Sequence, residues 1–370
     1  MNESLLWNRA CDVIIGGCGL LSKRPSRYSG NTWPTYFKSA KRITIKAQNN
    51  KKYIDFSEFS IGCNLFGYSQ ELCKKISFIL SRSTPLTTLL TIYEVELAEK
   101  LNLILGRNFV WKFPRGGGEA LALAVRYGRA ISMNSRALVC GYHGWHDWYL
   151  CSALKDANQF GKVFLKDIDP LGIPHDYKST AMACSPDDIS EFKTILGTYK
   201  PGIVVFEAAR YKYVSEELVN ILQEFQSQGG ILIADEVTSC LRVPRKLASL
   251  KVGLEPDIVV LGKALGSGFA ISAVGVQSCY KNNVEQCFSS STHWTEAIGL
   301  AAGGYTIDRL NKEQNYIQHI NHIGSELIIG IEAVFRNSAI NLTINSIPSM
   351  ISFSLQNECM DPILIKGLLV

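Results

Sequence analysis

Four short apolar runs set the pattern of the middle of the chain: Ala137-Leu138-Val139-Cys140, Ile203-Val204-Val205-Phe206, Ile231-Leu232-Ile233-Ala234 and Ile258-Val259-Val260-Leu261. Each is apolar at both odd and even positions, so each predicts a strand buried on both faces rather than one with a wet side. Between them the polar positions fall into helical spacing. The segments from Glu119 to Ser132 and from Glu216 to Gln228 are the clearest, and Gly229-Gly230 supplies a stop after the second. Strand alternating with helix predicts an α/β fold, a mostly parallel central sheet with helices on both faces. Upstream, Val95, Leu97, Ala98, Leu101 and Leu105 mark a helical face from Glu94 to Leu105, and Lys52 to Phe56 reads as a short strand. The first 50 residues show no such period. Arg24-Pro25, Ser29-Gly30-Asn31 and Trp33-Pro34 punctuate them as irregular chain.

Composition narrows the class. Of 370 residues, 46% are hydrophobic and 19% charged, which excludes a disordered chain. The net charge of +5 is too small to argue for a nucleic-acid partner. Its excess is local: residues 1–52 hold ten Lys or Arg against Glu3 and Asp12, either a solvated basic surface or an anion-facing one. The apolar run from Val13 to Leu21 is too short to cross a bilayer, and its basic flank follows it, so neither a membrane anchor nor a secretion leader is expected. Eleven cysteines are scattered singly without a CxxC pair, and no His, Cys and acid grouping has ligand spacing. That reads as reduced thiols in a cytoplasmic protein with no metal.

In parallel sheets ligands sit at the carboxyl ends of the strands. Those ends carry Gly141-Tyr142-His143-Gly144-Trp145-His146, then Glu207, then Asp235-Glu236-Val237, then Gly262-Lys263-Ala264-Leu265-Gly266. An aromatic-histidine turn, three carboxylates and one lysine are thus expected on one edge. A lysine there, partly desolvated, would be a neutral amine able to condense with an aldehyde. With Asp235 to hold a protonated pyridine nitrogen, Lys263 describes a pyridoxal phosphate (PLP) site. The same two residues also fit a structural ion pair. Arg115-Gly116-Gly117-Gly118-Glu119 opens a helix and is either a phosphate-binding turn or a bare glycine turn. Tyr142, Trp145 and Trp148 can stack on a planar group or merely pack, and His143 reads as a structural residue more readily than a catalytic one. No Rossmann fingerprint, Walker A loop or GxSxG elbow occurs.

Taken in order, the glycine turn with Glu119, Tyr142-His143-Gly144, Asp235-Glu236-Val237 and Gly262-Lys263-Ala264-Leu265-Gly266 resemble the class III aminotransferases, and within them the relatives of glutamate-1-semialdehyde 2,1-aminomutase. The likeness runs from about residue 25 to the end of the chain. The stretch from Cys140 to Trp148 is similar to a subgroup associated with surface-carbohydrate biosynthesis. The resemblance implies fold type I, PLP as cofactor, and a homodimer with its site at the subunit interface. It implies transfer of an amino group from a small amine donor to a carbonyl acceptor, as a transaminase or a 2,1-aminomutase; a catalytically impaired PLP-fold binding protein is the alternative. It gives Lys263 the Schiff base, Asp235 the pyridine nitrogen, and Val237 and Tyr142 the two ring faces. Gly117 and Gly118 would bind phosphate through their amides, Thr292 would reach it from the other subunit, and Glu207 would line the pocket. The implied division is 1–84 for an N-terminal segment and part of a small domain, 85–306 for the large PLP-binding domain, and 307–370 for an incomplete α+β small domain. Two departures stand out. Gly116 and Gly118 replace the Ser and Thr common in the family's turn, and the family's small domain continues several dozen residues further, so a C-terminally short form is expected.

Overall fold

The computed structural model describes residues 3–27, 33–41, 43–56, 62–154, 170–338 and 341–356. A small antiparallel sheet comes first, made of β1 (Phe37–Lys41), β2 (Thr44–Ala47) and β3 (Lys52–Ile54). The central sheet has seven strands: β4 (Phe109–Lys112), β5 (Ala137–Cys140), β6 (Ala181–Ala183), β7 (Ile203–Phe206), β8 (Ile231–Asp235), β9 (Ile258–Leu261) and β10 (Ala273–Gln277). Their order across the sheet is β4-β10-β9-β8-β7-β5-β6. The pairs β6–β5, β5–β7, β7–β8 and β8–β9 are parallel, whereas β10 runs against both β9 and β4. A hairpin of β11 (Asn341–Ile347) and β12 (Met350–Gln356) ends the described chain.

The four apolar runs form strands over the residues expected, with Asp235 added to the third. Successive side chains point to opposite faces, and each face builds its own core. Leu138, Val204, Leu232 and Val259 join one, with Phe192, Leu218, Leu97 and Leu300 from the helices above them. Ala137, Ile203, Ile231 and Ile258 join the other, with Ala120, Leu121 and Ala124 of helix Gly117–Ser132 below. The result is a three-layer α/β sandwich. Local signals start the covering helices: Asp188 Oδ1 accepts from Glu191 N at 2.9 Å ahead of helix Ile189–Tyr199, and Ser215 Oγ accepts from Leu218 N at 3.2 Å ahead of helix Glu216–Ser227. No helix among the described residues is long and apolar enough to cross a membrane.

Other elements escape the sequence pattern. Helix α1 (Glu3–Val13) and the β1–β2 ladder occupy a region expected to be irregular. Helix α1 buries none of its residues, although Leu6, Ala10 and Val13 recur at helical spacing. Strand β10 is interrupted by Gly275, which would read as a turn. The glycine is needed because a Cβ there would meet the Trp111 ring of β4 at 2.6 Å. Helices α2 (Gln70–Arg82) and α3 (Ile92–Leu105) follow the small sheet, and α4 (Gly117–Ser132) follows β4. Helix Ala297–Lys312 lies along α3, with Gly303 against Leu97, where a Cβ would sit 3.0 Å away.

Candidate active site

Asp235 is the last residue of β8 and is buried. Its two oxygens are both held. Oδ1 accepts from the Val237 amide at 3.0 Å, and Oδ2 accepts from His143 Nδ1 at 2.8 Å. His143 has no exposed surface, and its Nε2 finds no hydrogen-bond partner among the described residues. A buried imidazole spent on one carboxylate orients that carboxylate, and His143 is therefore a positioning residue for Asp235. Nothing in the sequence separated this histidine from a packed one.

Lys263 follows β9 in a left-handed conformation, φ +41°, which is unfavourable for a lysine. Gly262 before it is extended, and the bend turns the side chain back across the strand ends. Lys263 Nζ donates to Thr238 Oγ1 at 2.9 Å. Burial holds the lysine below its ordinary pKa, and the nearby Arg210 guanidinium adds to this; Asp235 and Glu207 oppose it. The amine is thereby biased towards its neutral, nucleophilic form.

Glu207 follows β7. Its Oε2 accepts from the Tyr142 amide at 2.9 Å, and its Oε1 accepts from Arg210 Nη1 at 2.5 Å. Arg210 also lies over the Tyr142 ring, 5.3 Å from its centroid. One carboxylate thus fixes both the backbone and, through arginine, the ring of Tyr142. Gly141 makes this possible. Its φ is +137°, and a Cβ would come within 2.6 Å of Glu207 Oε2. Arg210 was not singled out from sequence; the only signal was a cation three residues after a strand-end acid.

Glu236 does not belong to this group, although the sequence placed three carboxylates on the edge. It accepts from the amides of Ala248 at 2.9 Å and Ser249 at 2.7 Å and from the Ser239 hydroxyl. Neighbouring side chains in extended chain point opposite ways, and here Glu236 faces the core while Asp235 and Val237 face the site.

The glycine turn meets the same corner. Helix α4 begins at Gly117, and its first intrahelical bond runs from Ala120 N to Gly116 O at 2.9 Å. The amides of residues 117–119 precede that bond, the arrangement that accepts an anion. A Cβ on Gly117 would sit 3.0 Å from Val237 Cγ1, and one on Gly262 would sit 3.2 Å from the same atom. Val237 therefore joins the turn to the lysine loop. Glu119 is structural: it accepts from Arg115 N at 2.9 Å and from Trp294 Nε1 at 2.8 Å. Thr292 is the site residue that the fold leaves apart. It is exposed at the start of the turn Thr292–Thr295, which Arg115 ties down through the carbonyls of His293 and Glu296.

A buried carboxylate held by histidine, a desolvated lysine, an arginine-backed tyrosine and a helix start free of side chains thus share one end of the sheet. The chain matches the profile of the family described as aminotransferase class-III over residues 27–366. It is 28% identical over 361 residues to a glutamate-1-semialdehyde 2,1-aminomutase of Saccharolobus islandicus, covering 95% of this chain and 81% of that protein. Its fold superimposes with a TM-score of 0.83 on the PLP internal aldimine form of the FumI protein of Sphingopyxis sp. MTA144, at 20% identity, over 96% of this chain and 84% of that one. A glutamate-1-semialdehyde-aminomutase of Pseudomonas aeruginosa PAO1 gives a TM-score of 0.78 at 19% identity, over 95% and 79% of the two chains.

Proposed function

The chain belongs to the class-III aminotransferase family, PLP-dependent enzymes of amino-group transfer, and from that premise we propose that Lys263 bonds to the cofactor's aldehyde carbon while Asp235 holds the proton on its pyridine nitrogen. The observation that carries this reading is the meeting of Lys263, the His143–Asp235 pair and the start of α4 around Val237.

The residues fit the group. The turn offers a cradle that side chains would fill, the lysine is desolvated, and the aspartate is oriented from behind. Bound here, PLP supplies an electron sink that makes a substrate C–H acidic enough to break. The protein's part is binding, orientation and proton movement. The amides of Gly117 and Gly118 would hold the phosphate, and Tyr142 and Val237 would lie against the ring. Glu207 and Arg210 keep Tyr142 in place. With PLP in place, Lys263 Nζ, which rests on Thr238 Oγ1, would be the amine that takes up and returns the proton of the substrate carbon. The donor is a small primary amine and the acceptor a small carbonyl compound, on two molecules in a transaminase or on one in an aminomutase. A cytoplasmic, reducing setting suits the ten cysteines of the described residues, none of which is in a disulfide there. The division at 84 and 306 suits a central sheet that falls within 109–277.

We read the active unit as a homodimer. Leu89, Leu90, Ile92 and Val95 are 81%, 78%, 67% and 60% exposed. Their segment is tied to the Thr292 region through the bond from Ala297 N to Pro85 O at 2.9 Å. An apolar patch of this kind calls for cover, and a second copy would bring Thr292 to the neighbouring phosphate. Sedimentation of the PLP-loaded protein should give a dimer, and Thr292→Ala should weaken PLP retention. A monomer with full PLP occupancy would contradict this assembly.

Charge at Arg210 gives another test. Arg210→Gln removes a repulsion felt by the Lys263 ammonium, while Asp235 and Glu207 still attract it. The ammonium becomes easier to keep, so the pH at which the amine turns nucleophilic should move up. Competitive labelling of Lys263 in cofactor-free protein measures that midpoint; no change or a downward move would contradict the assigned electrostatics. The amino-transfer reading itself is tested by adding PLP, then a panel of primary amines. A visible absorption band should form and then bleach with a true donor.

A further inference from the structure

The turn that opens α4 presents three successive glycines and so contributes no side-chain donor of its own. What fills the space beside it comes from another segment. Gly144, with φ +95°, lets the chain after Tyr142 pass directly over the turn; a Cβ on it would lie 3.1 Å from Gly118 Cα. The next two residues then cover Gly118. A Cβ there would meet His146 Nδ1 and Cε1 at 3.0 Å each, with Trp145 Nε1 at 3.9 Å. The imidazole therefore occupies the position a side chain on Gly118 would have taken.

His146 Nδ1 is a buried atom without a hydrogen-bond partner among the described residues. Glu119 and Asp147 are the carboxylates whose charge acts on the ring, and among the described residues neither bonds to Nδ1; Glu119 is instead turned to Arg115 N and Trp294 Nε1. The ring is held by stacking on Trp145, with centroids 4.4 Å apart and planes 28° from parallel. Buried polar atoms are rarely left unsatisfied without a reason. A fixed, unpartnered ring nitrogen beside three free amides is what an anion on those amides would use.

We propose that His146 is a phosphate ligand of the cofactor site, its Nδ1–H donating to the phosphate held by the Gly117 and Gly118 amides in place of the side-chain donor the turn lacks. This rests on the glycine turn being the phosphate seat. The imidazole needs only one N–H for the role, so the neutral ring suffices.

The test compares the dissociation constants of the cofactor-free protein for PLP and for pyridoxal, which has the same aldehyde and ring but no phosphate. His146→Ala should weaken PLP by about tenfold or more, the scale of one hydrogen bond to a charged group, and leave pyridoxal binding unchanged. His146→Gln, which keeps an N–H donor, should retain most of the PLP affinity. Gly118→Thr added to His146→Ala should recover affinity, because the ring that would obstruct the new side chain is gone. Equal loss of both ligands, or no loss of PLP, would overturn the proposal. Gly117→Pro set beside Gly117→Ala separates it from the underlying reading. Proline fits the first position of a helix but lacks the N–H. If proline costs PLP no more than alanine does, the phosphate is not on the turn and both readings fall. If proline costs PLP selectively and His146→Ala does not, only the role of His146 falls.

Discussion

Lys263→Ala should bind PLP without a borohydride-reducible visible band and should lose amino transfer by at least about a thousandfold, the scale of a lost acid–base group. Two functions disappear together. The covalent hold on the cofactor goes, and so does the amine that shuttles the proton. No other amine in the cluster replaces it, because Arg210 is a guanidinium committed to Glu207 and Tyr142. Single-turnover kinetics with an amine donor measure the loss. A rate within tenfold of the parent protein would remove Lys263 from the chemistry.

Asp235→Asn should slow proton removal by at least about one to two orders of magnitude, since a hydrogen bond to a charged group contributes ~1.5–3 kcal/mol and each ~1.4 kcal/mol is tenfold in rate. The substitution preserves shape, and the amide oxygen can still accept from Val237 N. What it removes is the charge that keeps a pyridine nitrogen protonated, and it turns the acceptor facing His143 Nδ1 into an NH2 donor. PLP affinity should fall less than the rate, because the phosphate and Lys263 remain. Pre-steady-state absorbance changes separate the two quantities. An unimpaired rate with normal PLP loading would show that Asp235 does not face the nitrogen.

The sheet was legible because its four inner strands are buried on both faces and leave no polar position to confuse the pattern. Their ends were legible for the same reason: a charged residue directly after such a run has nowhere to go but the edge. That logic located Glu207, Asp235 and Lys263. It failed for Glu236, because adjacency in sequence does not say which of two neighbours faces the site, and the pleat sends Glu236 to the amides of Ala248 and Ser249. It gave no weight to Arg210 or His146, whose roles depend on contacts across the fold. Arg210 matters through a ring 68 positions away in the chain, and His146 matters through the empty space of Gly118. Helix α1 and strand β10 were missed on different grounds, one because its short apolar spacing was read together with the irregular chain that follows it and the other for a glycine that yields to Trp111. The dimer reading combines the family resemblance with exposed apolar residues from 89 to 95 that this single chain leaves uncovered.

The central claim is that the strained lysine after β9 is the one that bonds to the cofactor. The direct measurement is to load the protein with PLP, reduce it with borohydride, digest it and map the modified peptide by mass spectrometry. The account predicts one stoichiometric phosphopyridoxyl group on Lys263, in the peptide that contains Gly262-Lys263-Ala264. A stoichiometric adduct on any other lysine, with Lys263 unmodified, would contradict it.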